Sequence, residues 1–337
     1  MKRILVTGGA GFIGSNFVRM VLSEHPDCLV VNLDRLTYAG NLGNLTEFFD
    51  NDNHKFVKGD ICDGILIDRL IAEHGIEAII NFAAESHVDR SITEPKIFIE
   101  TNVVGTLTLL EAARDKKLGK FVQISTDEVY GTLGPEGTFT EQTPISPNSP
   151  YSASKASADL LVRAFGHTWG VQYNITRCSN NYGPYQFPEK LIPLMINNAL
   201  NNRELPVYGD GLHVRDWLYV YDHCTAIWQV LQNAPPGEIY NIGGGNEKAN
   251  LEVIHLILDR LHRPKSLIKH VADRPGHDRR YAIDAGKIIN ELGWRPSVSF
   301  EEGINKTMDW YLQSQEWLTN IVSGDYQTYY ESMYANR

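Results

Sequence analysis

Three glycines, Gly8, Gly11 and Gly14, lie where a short apolar run ends and a helical pattern begins, and this arrangement constrains the fold more than any other feature of the chain. Ile4–Val6 reads as a β run. From Phe12 to Leu22, helical spacing then brings Phe12, Ile13, Phe17, Met20 and Val21 to one side. In such a strand–turn–helix unit the first glycine permits the tight turn, the second lets the backbone approach a pyrophosphate, and the third lets the helix pack on the strand. The phosphates sit at the helix N-terminus, where unpaired N–H groups and the helix dipole favour negative charge. The spacing Gly-x-x-Gly-x-x-Gly departs slightly from the commoner Gly-x-Gly-x-x-Gly, and a purely structural turn is the bland alternative. The flanking strand and helix are what favour a dinucleotide.

Asp34 closes the next apolar run, Leu29–Leu33. A carboxylate there accepts hydrogen bonds from the adenosine ribose hydroxyls and repels a 2′-phosphate, which points to NAD. Arg35 beside it is a side chain that welcomes phosphate, so NADP stays open. Lys55–Val57, Ala78–Phe82 and Lys120–Ser125 read as further strands, and Ile65–Glu73 and Val103–Asp115 as helices. The alternation predicts an α/β fold, a Rossmann-like doubly wound parallel sheet. Both faces of such a sheet are covered, so Ala78-Ile79-Ile80 needs no polar alternation. Beyond about Tyr182 the rhythm loosens and prolines become frequent (Pro184, Pro188, Pro193, Pro206, Pro235, Pro236), as in a smaller, irregular α+β substrate-binding domain. The expected division gives 1–182 to the dinucleotide domain and 183–337 mainly to the substrate. Segments near 212–230 and 238–246 are expected to return to the first domain, through strands at Val214–Val220 and Glu238–Ile242.

With 337 residues and 42% hydrophobic content, the chain can bury one large or two joined cores. Its net charge of -10 argues against a nucleic-acid binder, which needs a basic face, while leaving room for one anionic small ligand held by a few arginines. Cys28, Cys62, Cys178 and Cys224 are far apart and form no Cys-x-x-Cys pair, so neither a disulfide framework nor a zinc site is expected. A reducing cytoplasm fits. The apolar run after Lys2-Arg3 is too short for a signal peptide, and no stretch approaches a membrane span. No Asp/Glu/His group has metal-ligand spacing, and no metal is expected.

Tyr151 and Lys155 follow Pro150 at a spacing that puts both on one helix face. A tyrosine hydroxyl ordinarily titrates near about 10, so an ammonium beside it is needed to favour the phenolate. The pair is common by chance and gains weight only from the glycine turn. Thr126-Asp127-Glu128 follows the strand Lys120–Ser125 and so falls at the carboxyl end of the sheet, where open α/β folds bind ligands. Two adjacent carboxyl groups in an enclosed site do not both ionise comfortably. One keeps its proton, giving the acid and the base that elimination of water requires. Standing alone, the pair reads as a solvated turn.

The glycine turn with Tyr151-x-x-x-Lys155 resembles the extended short-chain dehydrogenase/reductase family. Leu36-Thr-Tyr-Ala-Gly-Asn41, Ala84-Glu-Ser-His-Val-Asp-Arg90, Ser125-Thr-Asp-Glu-Val-Tyr-Gly131, Asn180-Asn-Tyr-Gly-Pro184 and Asp273-Arg-Pro-Gly-His-Asp278 are similar to its nucleotide-sugar 4,6-dehydratases, which act on dTDP-glucose. The likeness spans nearly the whole chain and thins beyond about Tyr311. It implies that Tyr151 takes the proton of the sugar 4-hydroxyl, Glu128 the C5 proton, and that Asp127 protonates the departing 6-hydroxyl. Thr126 would bond near the 4-oxygen, and Lys155 would bind the nicotinamide ribose. It also implies that NAD stays bound throughout. The family pattern puts Phe12, Ile13, Asp60, Ile61, Ala83, Thr101 and Cys178 (in itself a small buried residue) at the cofactor with Tyr151 and Lys155. It puts Ser86, His87, Thr126, Asn180, Lys190, Leu191, Pro206, Tyr208, Arg215, Asn250, Arg274, His277 and Tyr281 at the nucleotide sugar. A guanidinium fork matches phosphate oxygens, so Arg215 and Arg274 suit the diphosphate.

The helices Val103–Asp115 and Ser152–Ala164 are apolar on more than one face. The resemblance implies a homodimer built on them as a four-helix bundle, and burial within the monomer would account for them equally. Rival functions share parts of the set. A 4-epimerase would use Tyr151, Lys155 and NAD without needing Asp127-Glu128; a UDP-glucose 4,6-dehydratase would differ in the nucleotide it prefers. A dehydrogenase with net oxidation would release NADH. A non-catalytic NAD-binding regulator would not need the catalytic set at all.

Overall fold

In the computed structural model, which describes residues 1–322, each apolar run assigned to the first half of the chain is a strand. Among the described residues the strands are β1 (Arg3–Thr7), β2 (Leu29–Asp34), β3 (His54–Lys58), β4 (Ala78–Asn81), β5 (Lys120–Thr126), β6 (Tyr173–Cys178), β7 (Asn180–Tyr182), β8 (Leu205–Tyr208), β9 (Val214–Tyr219), β10 (Ile239–Ile242), β11 (Glu247–Ala249) and β12 (Ile268–Val271). Seven form one parallel sheet in the order β10-β6-β5-β4-β1-β2-β3. The order reverses between β1 and β4, and the crevice at that point is where such sheets bind ligands. The doubly wound sheet expected from the sequence is therefore present.

Successive strand residues point to opposite faces, and both faces are covered. Ile4, Val6, Val30 and Ile80 pack beneath the helices Phe12–Glu24 and Val220–Asn233. Leu5, Val31, Leu33 and Ile79 pack beneath Gly64–His74, Thr106–Asp115 and Pro150–Trp169. Burying each such side chain stabilises by about 1.5–3 kcal/mol, which is why these strands carry apolar residues on both sides. The helix Pro150–Trp169 begins with Ser149 and Ser152 in a reciprocal capping box, has Pro150 in its first turn, and ends at Gly170 with φ +72°. Those signals fix where Tyr151 stands. The helix expected at Val103–Asp115 starts earlier, through wide π turns at Ile99–Gly105 that follow the short helix Pro95–Phe98.

The two late segments expected in the large sheet part company. β10 joins it beside β6. β9 instead pairs with β7 and β11 in a separate three-stranded sheet, because β10 already occupies the free edge of β6. Only the helix after β9, Val220–Asn233, returns to the large sheet, against Phe12–Glu24. The helices Leu191–Leu200, Asn250–Arg260 and Phe300–Gln313 enclose a third core with β8 and β9. Of the segment expected to run to residue 337, positions 323–337 lie outside the described residues. No helix among the described residues is long and apolar enough to cross a membrane.

Candidate active site

The turn after β1 is built as its glycines suggest. Gly8 has φ +71°, and a Cβ there would lie 2.6 Å from the Ala83 backbone nitrogen. A Cβ on Gly14 would lie 2.2 Å from the Gly8 carbonyl oxygen, so the third glycine does let the helix close on the turn. Gly11 is different: its Cβ would meet only the Gly8 oxygen, at 3.3 Å, and no side chain caps the helix there. Its lack of a side chain keeps the helix N-terminus open to a ligand, a cradle that fits a dinucleotide pyrophosphate. Asp34, at the end of β2, accepts from the Ala10 and Leu36 amides at 2.9 and 2.8 Å and is held beside the turn. Arg35 pairs with Asp60 at 3.1 Å.

One cleft runs from this turn to the end of β5. It is lined by every residue expected at the cofactor: Gly8, Gly11, Phe12, Ile13, Gly14, Asp34, Asp60, Ile61, Ala83, Thr101, Tyr151, Lys155 and Cys178. Thr126, Asp127, Glu128, Ser86, Asn180 and Lys190 line it too. Thr126 caps a 3-10 turn, Asp127–Tyr130, its Oγ1 accepting from the Glu128 amide at 3.2 Å. This turn aims the two carboxyl groups into different surroundings. Asp127 is 2% exposed, and its Oδ2 has no partner among the described residues. Burial, then Glu128 and Asp216, push its carboxyl well above the usual range, with Arg215 opposing. Burial also raises the half-buried Glu128, but Arg274, Lys190 and Arg215 all pull it back. Asp127 thus holds a proton more readily than Glu128.

Tyr151 packs edge-on against Phe98, 6.3 Å between ring centres. Burial and the Glu128 carboxylate hold its phenol well above the ordinary value, with a hydrogen bond to Thr126 opposing. Lys155 donates to the Ile124 carbonyl at 2.6 Å, and burial lowers its own pKa.

The other residues expected at the nucleotide sugar, His87, Leu191, Pro206, Tyr208, Arg215, Asn250, Arg274, His277 and Tyr281, do not line this cleft. Leu191 opens the helix Leu191–Leu200, and Pro206 and Tyr208 lie on β8. Asn250 opens the helix Asn250–Arg260, its Oδ1 buried without a partner among the described residues. Arg215 stacks over Tyr281 at 4.5 Å and donates to the Asp278 carbonyl, while the Tyr281 hydroxyl donates to Asp278 at 2.5 Å. This second group adjoins the first electrostatically. Arg274 and Arg215 bear on Glu128, and Lys190 and Arg274 help keep the buried His87 neutral.

Tertiary structure also creates a cluster that sequence spacing hides. His213, on the approach to β9, joins Asp273 and His277, with ligand-type atoms within 4.8 Å of one another. The two rings stack at 3.7 Å and 15°. Asp273 faces both rings, His277 Nδ1 at 2.6 Å and His213 Nε2 at 3.3 Å. The cluster is a hydrogen-bonded clasp on the Asp273–Asp278 segment. Sequence reasoning also passed over Asn102, whose side chain bonds Glu85 and Ser154 from inside the π turns. It passed over Glu189, raised by burial to about 7 and bonded to the Tyr38 hydroxyl. Nothing in their local sequence marks either one.

The family model that matches, over residues 5–307, is described as GDP-mannose 4,6 dehydratase. A dTDP-glucose 4,6-dehydratase of Xanthomonas campestris is 58% identical, across 97% of this chain and 98% of its own. A crystal structure of dTDP-glucose 4,6-dehydratase from Bacillus anthracis, in complex with NAD, superposes with a TM-score of 0.90 at 52% identity, covering 95% of this chain and 100% of that one. A Streptomyces venezuelae dTDP-glucose 4,6-dehydratase with NAD bound gives 0.91, also at 52% identity, over 94% of this chain and 98% of its own.

Proposed function

The chain belongs to the GDP-mannose 4,6-dehydratase family, and on that footing we propose that it converts dTDP-glucose to dTDP-4-keto-6-deoxyglucose and water, with NAD as its cofactor. The observation that carries this reading is the pair Asp127 and Glu128 in the cleft that also holds the glycine turn, Tyr151 and Lys155. An epimerase or a simple dehydrogenase has no use for a buried acid beside a base that cations keep ionisable.

When bound, NAD supplies the acceptor for hydride from sugar C4 and the donor that returns it to C6. Gly8, Gly11, Phe12, Ile13, Gly14 and Asp34 would hold it, with Asp60, Ile61, Ala83, Thr101, Cys178 and Lys155 along its length. Tyr151 takes the 4-hydroxyl proton, and Thr126 bonds near the same oxygen. The 4-ketone acidifies the C5 hydrogen, which Glu128 removes. Asp127 gives its proton to the 6-hydroxyl, which departs as water, and after hydride has returned to C6 a proton returns to C5. Ser86, Asn180 and Lys190 face the sugar, with His87 next to Ser86 outside the cleft, while Arg215 and Arg274 take the diphosphate. Leu191, Pro206, Tyr208, Asn250, His277 and Tyr281 complete the nucleotide pocket. Residues 1–182 with β10 serve as the cofactor domain, and the later segments mainly hold the substrate.

The protein acts as a homodimer through the helices Thr106–Asp115 and Pro150–Trp169. Supporting this, Ile99, Val104 and Leu160 leave 46–52% of their surfaces exposed on these helices and the π turns before them. Four free thiols agree with a cytoplasmic setting. Incubation with dTDP-glucose and no added cofactor, followed by mass spectrometry, is expected to show loss of one water. An unchanged mass with a galactose isomer indicates an epimerase, and stoichiometric NADH release indicates a dehydrogenase. Parallel rates with UDP-glucose settle the nucleotide preference.

A further inference from the structure

Asp89 stands in the short helix Val88–Thr93, two residues after His87, and is 4% exposed. Its carboxylate reaches out of the cofactor domain to two separate elements. Oδ2 accepts from the Tyr208 hydroxyl of β8 at 2.8 Å, and Oδ1 pairs with Arg274 Nη1 at 3.4 Å. The contacts continue as a ring. The Tyr208 ring meets His277 edge-on, 5.9 Å between centres; His277 Nδ1 bonds Asp273; and Asp273 accepts the Arg274 amide at 2.9 Å. Arg274 is thus held by its backbone at one end and by one terminal nitrogen at the other. Its Nε is buried and has no partner among the described residues. A buried guanidinium N–H without an acceptor is unfavourable until a ligand oxygen supplies one.

We propose that Asp89 is a positioning residue for the nucleotide diphosphate: it pins one corner of the Arg274 guanidinium and, through Tyr208, the wall beside it, so that the Nε edge is presented to a phosphate oxygen. This rests on the reading of Arg274 as a diphosphate ligand. A charge-assisted bond pre-aligns the fork, so less side-chain freedom is lost when the phosphate arrives. Asp89 touches neither sugar nor cofactor in this scheme, and its removal acts first on substrate affinity. The alternative is plain repulsion, in which a carboxylate near a diphosphate weakens binding and its removal tightens it.

The test measures dTDP binding calorimetrically on the NAD-loaded enzyme, with KM and kcat for dTDP-glucose, in the parent, Asp89→Asn, Arg274→Gln and the double variant. Asp89→Asn is expected to raise the dTDP Kd and the KM about tenfold, the loss of one charge-assisted bond, with kcat at saturation and NAD affinity unchanged. On the Arg274→Gln background the same substitution is expected to add little, because its effect passes through that guanidinium. Tyr208→Phe, which removes only the hydroxyl, gives a smaller rise in the same direction and serves if Asp89→Asn does not fold. Tighter or unchanged dTDP binding in Asp89→Asn overturns the proposal, as do penalties that simply multiply in the double variant. If Arg274→Gln alone leaves dTDP binding intact, the diphosphate assignment fails and the proposal falls with it.

Discussion

Asp127 and Glu128 are neighbours in the chain, yet their proton affinities are set by different parts of the molecule. Asp127 is buried beside Glu128 and Asp216 with Arg215 and Thr126 opposing, while Glu128 faces Arg274, Lys190 and Arg215. The sequence suggested that one of the two carboxyls would keep its proton, and the cations around Glu128 favour Asp127 as the one that does. Asp127→Asn is therefore expected to leave oxidation at C4 running while slowing loss of the 6-hydroxyl about 100-fold or more, so that reduced-nicotinamide absorbance accumulates after substrate is added. Elimination at the parental rate would remove Asp127 from the acid's role. In the parent, kcat falls on the acid side as Glu128 takes up a proton and on the alkaline side as Asp127 loses one. The residues that bias the pair were legible only as candidate ligands, because their convergence on Glu128 joins segments far apart in the chain.

Among the elements, the strand–turn–helix unit was the most fully readable, since a tight turn, its glycines and a following apolar stripe are all local. The structure separates what the glycines do. Gly14 is needed by the fold, because an added Cβ would sit 2.2 Å from the Gly8 oxygen, whereas at Gly11 the same contact is 3.3 Å. Gly14→Ala is expected to destabilise the protein by about 1–3 kcal/mol and lower its melting temperature. Gly11→Ala should melt close to the parent and yet copurify with much less NAD. Equal melting losses in the two variants would contradict this division of roles. β9 was misassigned because its apolar run is as compatible with a small sheet as with a large one. Which edge it joins depends on β10 already occupying β6.

For the whole molecule, the two helices Thr106–Asp115 and Pro150–Trp169 cover one face of the sheet and leave apolar side chains on their outer side. Both contribute Leu109, Leu110, Val162 and Phe165 inward to the sheet core, so the sequence's excess of apolar positions is partly explained within the monomer. Leu160 and Trp169, 52% and 53% exposed, remain outside it. Leu160→Glu is expected to shift the protein from dimer to monomer in sedimentation velocity, with the inward core intact. A parent that already sediments as a monomer would end the dimer reading.

By itself the sequence determined the layered α/β architecture, the glycine turn and the start of the Tyr151 helix, while the candidate acid, base and phenol came from its resemblance to a known family. The first three depend on periodicities, caps and neighbours within a few residues. Only the tertiary structure decided that β9 leaves the large sheet, that three cations gather on Glu128, that His213 stacks on His277, and that Asp89 reaches Tyr208 and Arg274. Those outcomes depend on which distant segments share a buried space, where charges interact strongly and unpaired polar groups are costly. No local pattern encodes that sharing. The three glycines mark where a dinucleotide fits; the packing around the end of β5 sets the surroundings of the two carboxyl groups beside it.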